Sequence, residues 1–441
     1  MSSGQALGGP RSGSACTIKR FYRFRIRAVR VSEKRLDYDI LIRSAKLRSG
    51  AITDIAVSNG RIDQMASGIK GSGRLEIDAK RKLTTETFVI AHLHLDKVMT
   101  GPLVTEEVFR QYQHGGQGGT MTAIELASQV KEKYKESEII DRVRKVLTEA
   151  KFHGVSHIRA FADVDTKAKL IGIQALVKIR EEFKGLVDVE VVAFPQDGIR
   201  REPGAEEYMW KAMELGADVV GGIPWIEYTD EDMKHHIDFA YELAKKFNKD
   251  IAMLTDDGGD PELRTTEYLA VKAIKEGWTN RIAACHARAT ALYNEIYHRK
   301  FVAILKRAGM GIVTDPHTGP FHVRVQDLLN AGINVALGQD DVNDAYYPYG
   351  RCNMLEVAFL ASHLLWMFTP QDRETIYDMI TVNPARMMHV GKYGLAAGNE
   401  ANIVIHDAND LLEAYTYHPE ASYVMRKGKL VAQSSIQRKT S

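Results

Sequence analysis

Phe88-Val89-Ile90-Ala91-His92-Leu93-His94-Leu95-Asp96-Lys97 decides how the chain is read: an apolar run that ends on two histidines, two residues apart. Side chains i and i+2 of a strand share a face, so both imidazoles project to one side and Leu93 packs the other. Two imidazoles facing one point can share a divalent cation. A His-x-His pair alone is weak, because two solvent-facing histidines give the same pattern. Its weight depends on what the rest of the chain builds around it.

Working outward, seven further apolar β-type runs follow, at 157–161, 187–194, 217–221, 250–254, 281–286, 311–314 and 334–338. The stretches 121–134, 139–153, 205–215, 230–247 and 265–276 space their apolar residues three and four apart, as helices do. Eight strands alternating with helices predict an α/β fold, either a (β/α)8 TIM-type barrel or a doubly wound sheet. No Gly-x-Gly-x-x-Gly turn follows the first strand, and polar residues gather where strands end. Both features favour the barrel. Gly115-Gly116-Gln117-Gly118-Gly119 lacks the Lys-Ser/Thr of a nucleotide loop and reads as a flexible active-site loop.

Short β pieces precede the barrel at 39–42, 52–57, 61–63 and 75–78, with Ser58-Asn59-Gly60 as a hairpin turn. A matching set at 401–405 and 422–425 lies near the other end. The two ends are therefore expected to share one small β-sandwich. The resulting division is a basic extension over 1–36, sandwich over 37–86, barrel over 87–390 and sandwich again over 391–436.

With 441 residues, the chain has length for one large domain and a small companion. Hydrophobic residues at 44%, charged residues at 26% and a formal charge of +2 give no global attraction to nucleic acid or acidic membrane. The stretch 357–368 is interrupted by Ser362 and His363, and no apolar run reaches the roughly 20 residues of a membrane span. The expected partner is a small-molecule substrate, with no nucleic acid and no membrane; a homo-oligomer is left open. Cys16, Cys285 and Cys352 are too scattered for a disulfide framework, which fits a reducing, cytoplasmic setting. The first 32 residues carry seven Lys or Arg and no Asp or Glu. They read as a disordered tail or an upstream extension rather than a targeting leader.

Two further strand ends carry chemistry. Leu337-Gly338-Gln339-Asp340-Asp341-Val342-Asn343-Asp344 follows the last strand, and Asp340 lies nearest to it. A carboxylate there can ligate a cation and take a proton from its water, although acidic clusters are also common in solvated loops. Cys285-His286-Ala287-Arg288 ends another strand, where His286 can hydrogen-bond a nucleophile or substrate.

At these residues the chain resembles the amidohydrolase superfamily, and within it the bacterial cytosine deaminase and N-isopropylammelide amidohydrolase branch. The resemblance is carried by the His-Leu-His-Leu-Asp-Lys segment, Val191–Ile199, Gly216–Pro224, and Gly338–Asp344 with Tyr347-Pro348-Tyr349-Gly350, and it covers nearly everything after Tyr38. It implies a metal-dependent hydrolase of a carbon–nitrogen bond on a small cyclic or amide-like substrate, working by attack of metal-bound hydroxide. Position by position, it implies His92, His94 and Asp340 as ligands and His286 as the group that orients the hydroxide. Gln196 and Asp341 are implied as substrate contacts.

The family's fifth-strand motif resembles His-Val-Asp-Glu-Thr-Asp-Asp, whereas this chain reads Ile251-Ala252-Met253-Leu254-Thr255-Asp256-Asp257. Registered on Thr-Asp-Asp, Ile251 takes the ligand position and Leu254 that of the proton-shuttling acid. Three repairs are open: His286 enters the metal's first shell, Asp256 or Asp257 ligates, or the ion keeps only His92, His94 and Asp340. The last set accommodates zinc, iron or manganese. Asp257, assisted by Asp340, is expected to deliver the proton to the departing nitrogen. The rival expectation is an altered or inactive barrel that binds a small ligand.

Overall fold

In the computed structural model, residues 37–434 are described except 109, 111–123, 126, 127 and 129. The basic extension, the Gly115–Gly119 loop, residues 121–123, 126, 127 and 129 of the expected helix at 121–134, and residues 435–436 lie outside that set.

A barrel sheet is built from β6 (Phe88–His94), β7 (Val155–Asp163), β8 (Asp188–Phe194), β9 (Val219–Gly222), β10 (Asp250–Thr255), β11 (Ile282–His286), β12 (Gly311–Thr314) and β13 (Val335–Leu337). They lie side by side in chain order, and every pairing is parallel. Helices such as Glu136–Phe152, Asp230–Phe247 and Glu295–Ala308 supply the crossovers that parallel pairing requires. The ring closes where the segment after β13 meets β6: Leu93 bridges Asp340, His94 N donates to Asp340 O (2.8 Å), and Asp340 N donates to His92 O (3.1 Å). The expected (β/α)8 barrel is the observed one.

Strand alternation divides the apolar residues into two buried layers. Ile90, Leu93, Ile158, Ile251 and Met253 join the helices outside the ring. Val89, Phe161, Val192, Ala252, Leu254 and Val313 fill the interior. These are the stacked side chains that make such a barrel a packed core rather than a pore.

β1 (Tyr38–Lys46), β2 (Ile52–Ser58), β3 (Arg61–Ala66) and β4 (Gly73–Asp78) form one further sheet; β5 (Thr84–Glu86), β14 (Ile403–His406), β15 (Ala421–Arg426) and β16 (Lys429–Gln433) form another. Asn59 and Gly60 turn β2 into β3 with φ of 52° and 77°, the left-handed pair of a tight hairpin. Ile40, Ile42, Ile55 and Val57 of the first sheet pack against Ile403, Ile405 and Met425 of the second. The segments before and after the barrel thus share one apolar core.

Candidate active site and metal centre

On β6 the side-chain alternation changes phase. Val89 and Ala91 face the barrel interior, yet so do His92 and His94, while Leu93 and Leu95 join the outer layer. The pairing with β7 slips between Ile90 and Leu93, and this irregularity turns the histidines inward. Their rings lie at right angles, 5.0 Å apart, against the interior Phe161 and Phe194. Because the last strand closes on the first at this level, Asp340 arrives beside both. Its Oδ1 is 3.0 Å from His92 Nε2, 3.9 Å from His94 Nε2 and 3.7 Å from His286 Nε2. The three sequence candidates for a cation and His286 are therefore brought to one carboxylate oxygen.

The backbone is forced at these strand ends. His286 and Asp340 adopt φ of 67° and 65°, a left-handed conformation that costs non-glycine residues of order 1 kcal/mol. Burial holds the His94 and His286 imidazoles well below their usual pKa; Lys97 acts in the same direction on His94, and Asp340 opposes the effect on His286. Both are thus held neutral. Arg288 Nη2 lies 3.2 Å from His286 Nδ1. A guanidinium only donates, so Nδ1 accepts and the ring proton sits on Nε2, facing Asp340.

The two aspartates after β10 separate by function. Asp256 accepts from Thr265 N (2.7 Å), Thr266 N (3.0 Å) and Thr265 Oγ1 (2.6 Å), and so caps the helix Thr265–Glu276. Asp257 faces the cavity and pairs with Arg288 Nε at 2.6 Å. Burial pushes its carboxyl up to about 6, with Arg288 opposing and Asp340 reinforcing the rise. Asp256→Ala is expected to cost about 2 kcal/mol of stability through the lost cap and to leave metal content unchanged. Chemical denaturation beside elemental analysis checks both.

Leu254 lines the cavity, whereas Ile251 points into the helix-side layer. The inward residues of β10 are Ala252 and Leu254, so a ligand at 251 would face away from the site. Either way, β10 offers the cavity no metal-binding side chain.

Gln196 Oε1 accepts from Lys97 Nζ (2.9 Å), which also pairs with Asp163 (2.9 Å). Lys131 joins Asp163, Asp165 and Asp197 at 2.8–3.1 Å, and Lys167 reaches Asp197 at 3.3 Å, so each carboxylate of this network meets an ammonium group. The Gln196 amide nitrogen has no partner among the described residues. Asp341 also lines the cavity, its carboxyl pushed well up by burial and by the adjacent Asp340. The opening measures about 400 Å3, solvent mouth included, and Ile223, Trp225, Leu254 and Tyr346 form its apolar wall.

Sequence reasoning passed over Asp163, Asp315, Arg288 and Lys97. Asp163 ends β7 and Asp315 follows β12, so the strand-end criterion that singled out Asp340 would have found both. Donor atoms of His92, His286, Asp315 and Asp340 all lie within 4.8 Å of one another, and a second group joins His94, Asp340 and Asp341. Among the described residues, His92 Nδ1, His94 Nδ1 and both Asp315 oxygens are buried without a side-chain hydrogen bond. Imidazole nitrogens and carboxylates in that number suit a divalent cation.

A family model described as the amidohydrolase family matches residues 115–432. The N-isopropylammelide isopropyl amidohydrolase of Pseudomonas sp. (strain ADP) is 29% identical over 404 residues, 91% of this chain and 98% of that one. The pterin deaminase of Rhizobium rhizogenes is 25% identical, over 86% of this chain and 88% of its own. The crystal structure of 5-methylcytosine deaminase from Klebsiella pneumoniae liganded with 5-fluorocytosine superposes with a TM-score of 0.83 at 30% identity, covering 91% and 99% of the two chains. With the match spanning most of the barrel and the second half of the sandwich, this chain belongs to the amidohydrolase family.

Proposed function

We propose that the protein hydrolyses a carbon–nitrogen bond of a small cyclic or amide-like substrate, releasing ammonia or an amine. The observation that carries this reading is the convergence of His92, His94, His286 and Asp340 on one point beside the cavity-facing Asp257. The relatives named above, an amidohydrolase and two deaminases, support it.

His92, His94 and Asp340 would hold one divalent cation, zinc or iron, with manganese also accommodated; His286 is the alternative donor to the same ion. Such a cation supplies Lewis acidity and activates water at neutral pH. The chain's own groups do the rest. Asp340 accepts the proton of the attacking water. His286, its proton on Nε2, donates to the oxygen on which charge develops at the trigonal carbon. Asp257 hands a proton to the nitrogen as the carbon–nitrogen bond breaks, and a carbonyl remains on the ring or amide. Gln196 presents its amide N–H groups to an acceptor on the substrate, and Asp341 contacts its polar edge. Trp225, Ile223 and Leu254 exclude bulk water, which strengthens each of these interactions.

The same proposal takes residues 37–86 and 391–436 as the supporting sandwich, 87–390 as the catalytic barrel and 1–36 as an extension. It also places the protein in the cytoplasm. Cys285 and Cys352 are free and buried, and among the described residues no helix is long and apolar enough to cross a membrane.

Ammonia or amine release from a panel of amino-substituted pyrimidines, pterins and triazines tests the reading. Turnover of at least one compound is expected, abolished by a chelator and restored by zinc or iron. No release from any of them by metal-loaded protein would overturn it in favour of a ligand-binding barrel.

A further inference from the structure

β10 turns only Ala252 and Leu254 toward the barrel interior, so the strand between β9 and β11 gives a cation nothing to bind. Two strands further round the ring, Asp315 follows Thr314 at the end of β12, between the strands that present His286 and Asp340. It is 2% exposed, and among the described residues neither carboxylate oxygen has a side-chain hydrogen bond, the Gly338 N–H being the backbone group that acts on it. Oδ2 stands 3.5 Å from His286 Nδ1, and its donor atoms fall within 4.8 Å of those of His92, His286 and Asp340.

Room for this carboxylate is made by Gly338. A Cβ there would lie 2.2 Å from Asp315 Oδ1 and 3.0 Å from the His92 Cβ. A second buried carboxylate beside Asp340, with no side-chain hydrogen bond, is costly unless a cation compensates it. Arg288 meets only part of that need: its charge bears on Asp315, while its Nε is paired with Asp257.

We propose that Asp315 is a metal ligand of this protein, supplying from β12 the donor that β10 lacks, beside His92 and Asp340. The inference rests on the metal-binding reading above and adds a ligand to it. The competing arrangement has Asp315 acting only on His286, as an orienting carboxylate behind the ring. A partner of that outer kind costs about 10- to 100-fold in metal affinity when removed.

The test is zinc affinity, measured by competition with a chromophoric chelator, in the parent protein, Asp315→Asn, His286→Ala and the double variant. Asp315→Asn is expected to weaken zinc binding by more than about 100-fold, and by a similar factor in the His286→Ala background. If its effect vanishes once His286 is removed, or if affinity is unchanged in both backgrounds, Asp315 is no ligand. A parent that binds no zinc at all fails the metal reading itself, which is a different result from a parent that binds and an unaffected variant.

Asp315→Cys with cobalt(II) gives a second readout that does not depend on the asparagine variant folding. A thiolate-to-cobalt charge-transfer band absent from the parent, which already contains Cys285, supports direct ligation. Cobalt uptake without that band overturns it.

Discussion

The His92→Ala, His94→Ala double variant is expected to purify with essentially no bound zinc or iron, where the parent carries about one ion per chain, and to show no turnover above background. Both imidazoles come from one strand end and converge with Asp340 Oδ1, so their removal takes away two of the nearest nitrogen donors. Neither contributes to the sandwich or to the helix layer, and the fold should survive. Circular dichroism with elemental analysis reads both quantities. Unchanged metal content would show that the ion is held elsewhere.

Asp257→Ala is expected to retain the metal and lose about 10²- to 10⁴-fold in kcat, the range for removing one positioned proton donor. Asp257 lines the cavity and is held by Arg288, so its deletion disturbs the wall and leaves His92 and Asp340 in place. The complementary change separates reach from charge: Asp257→Glu should recover part of the rate if proton delivery is the function. A parental rate in Asp257→Ala would remove the residue from the mechanism, and metal loss would reassign it as a ligand.

Much of this site was legible in the sequence because its parts are local. His-x-His on a strand needs only the two-residue period, and Asp340 and His286 are recognisable as polar residues that end apolar runs. What sequence could not supply was phase. Registering the fifth strand on Thr-Asp-Asp gives Ile251 the ligand position, but its neighbours turn Ile251 outward and Ala252 inward. Alternation is set by the ring as a whole, and an irregularity such as that between Ile90 and Leu93 resets it without a sequence signal.

Asp256 and Asp257 make the same point. Adjacent and chemically identical, they differ only in which one meets the free N–H groups of the following helix, a matter decided by a left-handed turn at Asp256 (φ 45°). Asp315 and Asp163 were passed over because a single acidic residue after a strand is common in any barrel; burial distinguishes these two. The salt-bridged Lys97, Lys131 and Asp163 cluster joins residues from three separate segments and has no local pattern to find.

The seam between β6 and the segment after β13 carries one more implication. His92 and Asp340 are 248 residues apart in the chain, and the backbone bonds that weld the first stave of the cylinder to the last are those flanking these two side chains. Completion of the architecture and assembly of the reactive centre are thus a single event. A nascent chain released before its final strand is made has every imidazole it needs and nowhere to gather them.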